Sequence, residues 1–482
     1  MPIPVINVAQ MREWEKASWE AGKTESEVIM RVGQLVARRA SQMVRPGQLV
    51  LVLAGKGNNG NDARRAREHL ADWPVYLQDV SNPQEGISEL HQILDQRPAL
   101  IIDGLFGIGI NRPLDEHWAA LIQRINDLQT KVLSIDVPSG LNADTGEPMG
   151  TAIRASVTMT LGAPKQGLLL PSAWPYVGRL EVVPDIGLAK CPFTGETNWT
   201  LPEDFNNFPP ERPATAHKGN FGRIAIIAGS LGYHGAAVLA ARGAQRAQPG
   251  LITLYTNEEV YHSIAPQLQA VMVSIWNSKL SLPGDFNAVL IGPGLAAGDI
   301  PDDMKMMTRH VWRDAAVPVV VDASALDWLP LAPFPKNAIR VITPHPGEAS
   351  RILRCSAKQV EANRPNALRE VSKRLGNCWV VLKGNQTLIG RSSGEIYVNP
   401  SGNPYLAQGG SGDALSGYLA GLLAQPTLQV DPLKTLRYAV WQHGATADKL
   451  TATRNNWIVE DLLKELGSVV PELQDLPPSK PS

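Results

Sequence analysis

The stretch AQGGSGDALSGYLAGLLAQ, residues 407–425, passes three glycines and a serine, meets one aspartate at Asp413, and turns at once into small-residue helix. Glycines leave backbone N–H groups free to crowd around an anion, and a helix N-terminus adds unpaired donors and a positive dipole end. A carboxylate placed there opposes anion binding unless it has a second task. Both features fit if Asp413 takes a proton from a hydroxyl while the N–H groups of Gly410, Ser411 and Gly412 hold a phosphate. Alone, the same residues read equally as a helix N-cap after a loop, which aspartate serves well.

The sequence on either side decides between the two. RIAIIAG (223–229), GLITLYT (250–256), AVLIGPG (288–294), VPVVVDAS (317–324), RVITPH (340–345) and CWVVLKG (378–384) are short apolar runs ending in glycine or polar residues. Helical stretches between them imply a parallel sheet with helices on both faces, whose ligands sit at the carboxyl ends of the strands. Those ends carry AGSLGYHGAA (228–237), IGPGL (291–295), ITPHPGE (342–348) with His345 between two prolines, and VVLKGNQTLI (380–389) with Lys383, Gly384 and Thr387 in a turn. Each alone is a turn. Together on one sheet edge they form a nucleotide-dependent site. Asn403, in NPSGNP (399–404), is placed to orient a phosphate or an amide.

The first half repeats this architecture without repeating the sequence. A helix pattern puts Met11, Trp14, Ala17 and Ala21 on one face. QLVLVLAG (48–55), ALIIDGLFG (99–107) and KVLSIDVPSG (131–140) read as buried strands, with helices over 62–73 and 115–128 between them. Composition shifts around 200–216, where LPEDFNNFPPERPATA is polar, proline-rich and aperiodic, as in a linker.

At 482 residues the chain exceeds one ordinary core, so two or three domains are expected. With 45 basic against 46 acidic residues, nothing argues for a nucleic-acid or membrane partner. Cys191, Cys355 and Cys378 have no C-x-x-C spacing, which fits a reducing cytoplasm and offers no zinc site. The N-terminus lacks a basic segment followed by an apolar core, so no signal peptide is expected.

In order, HKGNFGRIAIIAGS, IGPGL, ITPHPGE, VVLKG and AQGGSGD resemble the ADP-dependent NAD(P)H-hydrate dehydratase domain, over about residues 213–460. The resemblance implies an α/β fold, ribokinase-like, for 213–475. It implies nucleotide binding by Lys383, Gly384, Asn385, Gln386, Thr387 and Gly412, a hydrate pocket at Ala236, Gly294 and His345, and catalysis by Asp413. GKGNNGNDA (55–63), IDGLFGIGINRPL (102–114) and IDVPSGLNADTG (135–146) resemble the NAD(P)H-hydrate epimerase domain, which implies a Rossmann-like three-layer αβα domain over 1–210. There the hydrated dinucleotide would meet Asn58, Asn59, Gly60, Asn61 and Asp62, then Gly107, Ile108, Gly109, Ile110, Asn111, Arg112 and Pro113, with Asp136 as the catalytic group. A potassium ion would be held by Asn59, Asp103 and Ser139, whose hard oxygen donors suit an alkali or alkaline-earth cation. ADP as phosphoryl donor, magnesium and a homo-oligomeric assembly are implied in the same way. Against the family pattern, Asn61 and Ala63 replace glycines, Lys56 replaces a small residue or proline, and Arg64, Arg65 and Arg67 occupy a more apolar stretch. Side chains in place of glycine would narrow the approach to the diphosphate. Ser324 stands where an aspartate is expected. LGAPKQG (161–167) adds Lys165 in a Pro–Gly turn to these loop ends, though alone it reads as a surface lysine.

The implied chemistry makes a poor leaving group a good one. The hydrate carries a hydroxyl on C6 of the reduced nicotinamide ring, beside the ring nitrogen. Asp413 would take its proton as the oxygen attacks the terminal phosphoryl of ADP. The nitrogen lone pair would then expel phosphate, leaving NAD(P)H, AMP and phosphate. Rival readings are a small-molecule kinase of the ribokinase-like group with a binding-only first domain, and a dinucleotide-binding scaffold without turnover.

Overall fold

The structure is a computed structural model. It describes residues 2–471 except 86, 278–283, 297, 299, 332 and 336, so Met1 and the end of the 213–475 range lie outside the described residues. The chain forms two compact units, one from Ile3 to Gly195 and the other from Glu196 onward.

In the first unit β1 (Val50–Ala54), β2 (Val75–Asp79), β3 (Leu100–Gly104), β4 (Lys131–Ile135), β5 (Val157–Leu161) and β6 (Arg179–Val183) form a parallel sheet in the order β2-β1-β3-β4-β5-β6. β1 and β3 are buried along their whole length, as central strands covered on both faces must be. The chain leaves β1 towards β2 and returns on the other side to β3, so the topological switch point lies between the ends of β1 and β3.

Two helices here differ from their expected form. The helix Val8–Glu20 buries Met11, Trp14 and Ser18, while Ala17 is exposed. Ser18 is tolerated because its hydroxyl donates to Trp14 O (2.8 Å) and accepts from Ala189 N (3.1 Å). The helix expected over 62–73 spans Asn58–Glu68, which puts the two asparagines of the glycine loop into its first turn.

The second unit contains β7 (Thr197–Trp199), β8 (Arg223–Ile227), β9 (Leu251–Thr256), β10 (Met272–Ile275), β11 (Ala288–Ile291), β12 (Val319–Val321), β13 (Arg340–Ile342), β14 (Trp379–Leu382), β15 (Leu388–Gly390) and β16 (Ile396–Val398). Their order is β7-β16-β15-β14-β13-β12-β11-β8-β9-β10. Pairing is parallel from β14 to β10 and antiparallel at β14-β15-β16. A switch point again falls between the first strand, β8, and β11.

The composition-based linker takes part in this unit. β7 pairs with β16, Phe205 is fully buried, and its ring meets Tyr438 edge-on at 5.5 Å. Asp204 forms an ion pair with Arg437 beneath the surface. One phenylalanine and a satisfied carboxylate dock a segment whose average composition is that of a loop.

The small-residue run after Asp413 also has a packing cause. The helix Ser411–Leu423 lies against the helix His234–Arg246 almost backbone to backbone. A Cβ on Gly417 would stand 1.9 Å from Ala240 O, and one on Gly243 2.3 Å from Ala414 O. Glycine and alanine are what such a crossing admits.

Candidate functional site

In the first unit the loops after β1 and β3 frame a cavity of about 620 Å³, within the range of small-molecule sites. Asn58, Asn59, Asp62, Gly107, Ile108, Gly109, Ile110, Asn111, Arg112 and Asp136 line it. Gly60, Asn61 and Pro113 do not. Gly60 lets the helix start press on the strand-end loop, since a Cβ there would meet Gly55 O at 2.0 Å. Asn61 Oδ1 accepts from Arg64 Nη1 (2.9 Å), and Arg64 Nη2 donates to Gly55 O (2.8 Å). Ala63 is fully buried, its methyl filling the space left by Gly104, whose own Cβ would come within 2.5 Å of it. The side chains that replace glycines thus brace the loop and do not line the cavity. Arg65 and Arg67 are exposed, and Arg65 pairs with Glu68.

Asn59, Asp103 and Ser139 meet around the backbone of Phe106. Asn59 Nδ2 donates to Phe106 O (2.7 Å), and Phe106 N donates to Ser139 Oγ (2.9 Å). The Asp103 carboxylate is fully buried and accepts from Ser134 Oγ (2.8 Å), Ser139 N (2.9 Å) and Ser139 Oγ (2.5 Å). Burial pushes its pKa up, against these hydrogen bonds. Among the described residues no ion pair neutralises it, and the neighbouring Asn59 and Phe106 carbonyls and Ser139 hydroxyl are hard oxygens. That donor set fits an alkali cation.

Asp136 follows β4 with φ 63°, a left-handed backbone that an aspartate tolerates better than most residues. Its Oδ1 accepts from Lys165 Nζ (2.5 Å) and Leu161 N (3.0 Å). Lys165, which alone reads as a surface lysine, is fully buried and also donates to Leu161 O (2.7 Å). Its burial follows from the Asp136 partner, which a single turn motif does not reveal. Glu15 and Glu25, from the first two helices, line the same cavity and had no sequence signal.

In the second unit Asp413 stands in the first turn of its helix, after Gly410 at φ 92°. Burial pushes its pKa up to about 6, with Asp322 and Glu348 adding to the rise and Lys383 opposing it. Lys383 Nζ donates to Asp322 Oδ1 (3.1 Å) and lies 3.9 Å from Glu348 Oε2. Burial works against the ammonium, but Asp322 and Glu348 hold its pKa above the usual value. Gly412 faces this lysine: a Cβ on it would be 3.4 Å from Nζ. The lysine and the glycine-rich helix start therefore converge.

His345 caps the helix Pro346–Leu353, accepting from Gly347 N at Nδ1 (3.0 Å). Its own N donates to Glu348 Oε2 (2.8 Å), which links it to Lys383. Gly294 and Ala236 meet, with 3.0 Å between the Ala236 methyl and a Cβ on Gly294. The turn at 384–387 is held from below by buried Arg364, which donates to Gln386 O (3.3 Å), Leu382 O (3.2 Å) and Asn385 O. Thr387 Oγ1 donates to Gly384 O (3.2 Å). Asn403 spends its amide on Asp448 (2.9 Å) and Tyr405 N (3.1 Å), so it shapes the loop.

Three groups here were not singled out from sequence. Asp322 ends VVVD, Glu348 ends TPHPGE, and His443 lies within the helix Pro432–Thr453. The first two sit at strand-end loops and so carried a positional signal. His443 is buried, which lowers its pKa to about 4, and its neutral ring donates from Nε2 to Ser411 O (3.0 Å). It fixes the turn preceding Asp413.

Residues 224–472 match the family model described as NAD(P)H-hydrate dehydratase, and residues 74–167 match that of the YjeF-related protein N-terminus. A bifunctional NAD(P)H-hydrate repair enzyme of Coxiella burnetii is 34% identical over 91% of this chain and 93% of its own. That of Gloeobacter violaceus is 33% identical over 93% and 94%. The ADP/ATP-dependent NAD(P)H-hydrate dehydratase from Bacillus subtilis, co-crystallized with ATP/Mg2+, is 32% identical with a TM-score of 0.50, covering 55% of this chain and 96% of its own. With both domain matches in order and relatives aligned from end to end, the chain belongs to the family of bifunctional NAD(P)H-hydrate repair enzymes.

Proposed function

We propose that the chain repairs hydrated nicotinamide dinucleotides: the first unit interconverts the R and S epimers, and the second dehydrates the S form at the expense of ADP. The observation that carries the reading is the convergence of Asp413, Lys383 and the Gly410–Gly412 turn at the carboxyl end of a parallel sheet.

Asp413 takes the C6 hydroxyl proton while that oxygen attacks the terminal phosphoryl of ADP. The amides of Gly410, Ser411 and Gly412 receive the charge that develops on the phosphoryl oxygens. Residues 383–387 hold the AMP portion, and Ala236, Gly294 and His345 line the hydrate pocket. The ring nitrogen then expels phosphate as N1=C6 forms, and loss of a proton from C5 gives the C5=C6 bond of NAD(P)H. Magnesium, bound with the nucleotide, would supply positive charge to its phosphates.

In the first unit residues 58–62 and 107–113 hold the dinucleotide, and Asp136, kept beside Lys165, serves as acid or base. Asn59, Asp103 and Ser139 would hold a potassium ion, which would supply positive charge to the site. Free cysteines at 191, 355 and 378 support a reducing cytoplasm. Among the described residues no helix is long and apolar enough to cross a membrane. Assembly as a homo-oligomer follows from the family resemblance.

Assaying each hydrate epimer with and without ADP tests the reading. The S form should give NAD(P)H, AMP and phosphate only with ADP, and the epimers should interconvert without it. Accumulation of a stable phosphorylated product would favour a kinase instead.

A further inference from the structure

We propose that Asp62 is the second proton-transfer residue of the epimerisation, working with Asp136 in the same cavity. This rests on the epimerase reading of the first unit and names a partner for Asp136 that the reading lacks.

Asp62 is 6% exposed, lies in the first turn of the helix Asn58–Glu68, and lines the cavity that Asp136 also lines. Three of the four acids around it have partners, while Glu15, half-buried on the cavity wall, has none among the described residues and is less buried than Asp62. Asp136 has Lys165, Asp103 has its serines, and Glu25 Oε1 accepts from Asn58 Nδ2 (2.5 Å). The Asp62 carboxyl makes no hydrogen bond or ion pair among the described residues. An unpartnered buried carboxyl is costly as an anion and cheap as a neutral acid. Burial, with Asp136, Glu15 and Glu25 nearby, holds its pKa well above the ordinary carboxylate range. One cavity thus contains a carboxylate hydrogen-bonded to a buried lysine and, in Asp62, a carboxyl whose burial favours the neutral form. Two carboxyl groups in such different surroundings suit the roles of base and acid.

Epimerisation at C6 requires both. If the ring opens, Asp136 takes the hydroxyl proton, the C–O π bond forms, and the C6–N1 bond breaks with its electrons passing to N1, which Asp62 protonates. If water leaves and returns, Asp62 protonates the departing hydroxyl as the N1 lone pair forms N1=C6. Water then adds to the other face of C6 and loses its proton to Asp136. On the ring-opening route the aldehyde turns its other face, N1 attacks and returns its proton to Asp62, and the new hydroxyl takes the proton from Asp136, so no net transfer occurs. On the water route one proton passes from Asp62 to Asp136 per inversion, and exchange with solvent resets them.

The test uses the full-length protein without ADP, following interconversion of purified epimers by NMR. Asp62→Asn should lower kcat by about a hundredfold or more with KM changed less than about threefold. Asp62→Glu, which keeps an acidic proton, should be at least about tenfold faster than Asp62→Asn. Wild-type kcat in Asp62→Asn, a change confined to KM, or Asp62→Glu no faster than Asp62→Asn would overturn the proposal. If the wild-type protein itself fails to interconvert the epimers, the epimerase reading falls instead.

Discussion

Lys383 and Asp322 form an ion pair of 3.1 Å directly beneath the amide turn that precedes Asp413. Both charges bear on Asp413, whose pKa burial pushes up to about 6. On the proposed reading Asp413 acts ionised, so dehydration should climb as pH rises through about 6 and level off above it. Asp322→Asn removes a charge that raises Asp413, so this limb should move to lower pH. An unmoved limb in the variant would show that another group is being titrated. The same elevation has a stability consequence of opposite sense. Ionising Asp413 opposes folding, so its contribution is most favourable below 3.8 and is lost as pH rises through about 6.

Gly417 admits no side chain, because any Cβ would sit 1.9 Å from Ala240 O. Gly417→Ala must separate two helices that carry the Gly410–Gly412 turn and the Ala236 loop. It should cost roughly 1–3 kcal/mol or more of stability and lower dehydration with it. Urea unfolding followed by circular dichroism reads the first, and an unchanged midpoint would mean the crossing is looser than described.

Lys165 and Asp136 are both buried and bonded to each other. Lys165→Met leaves a buried carboxylate without its cation, which should cost roughly 3–5 kcal/mol in the first unit and abolish epimer interconversion. A variant with normal stability and normal interconversion would remove the pair from the site.

The buried Asp103 carboxylate has hydroxyl and amide partners but no ion pair among the described residues. Potassium should therefore raise the melting temperature of the protein relative to an organic cation at equal ionic strength. Asp103→Asn should erase that difference. Equal melting in both salts for the wild type would remove the ion from the account.

The strand runs and the loops at their ends were legible because period and burial leave direct marks on sequence. The apolar runs at 48–55, 99–107 and 223–229 mapped onto β1, β3 and β8. What sequence could not show depends on partners far along the chain. Lys165 looked like a surface lysine because its acceptor, Asp136, lies in another loop. Ser18 replaced Ala17 on the buried face because Ala189 satisfies its hydroxyl. The segment around Phe205 reads as a linker by composition, yet its ring belongs to the second core. His443 sits mid-helix among apolar residues, and only the fold brings it to Ser411.

The most direct measurement replaces one oxygen. Asp413→Asn keeps the shape of the turn and removes the base, so with ADP and the S hydrate it should restore reduced nicotinamide at least about a hundredfold more slowly than wild type, while still binding ADP. Wild-type recovery of the reduced-nicotinamide absorbance by Asp413→Asn would contradict the account.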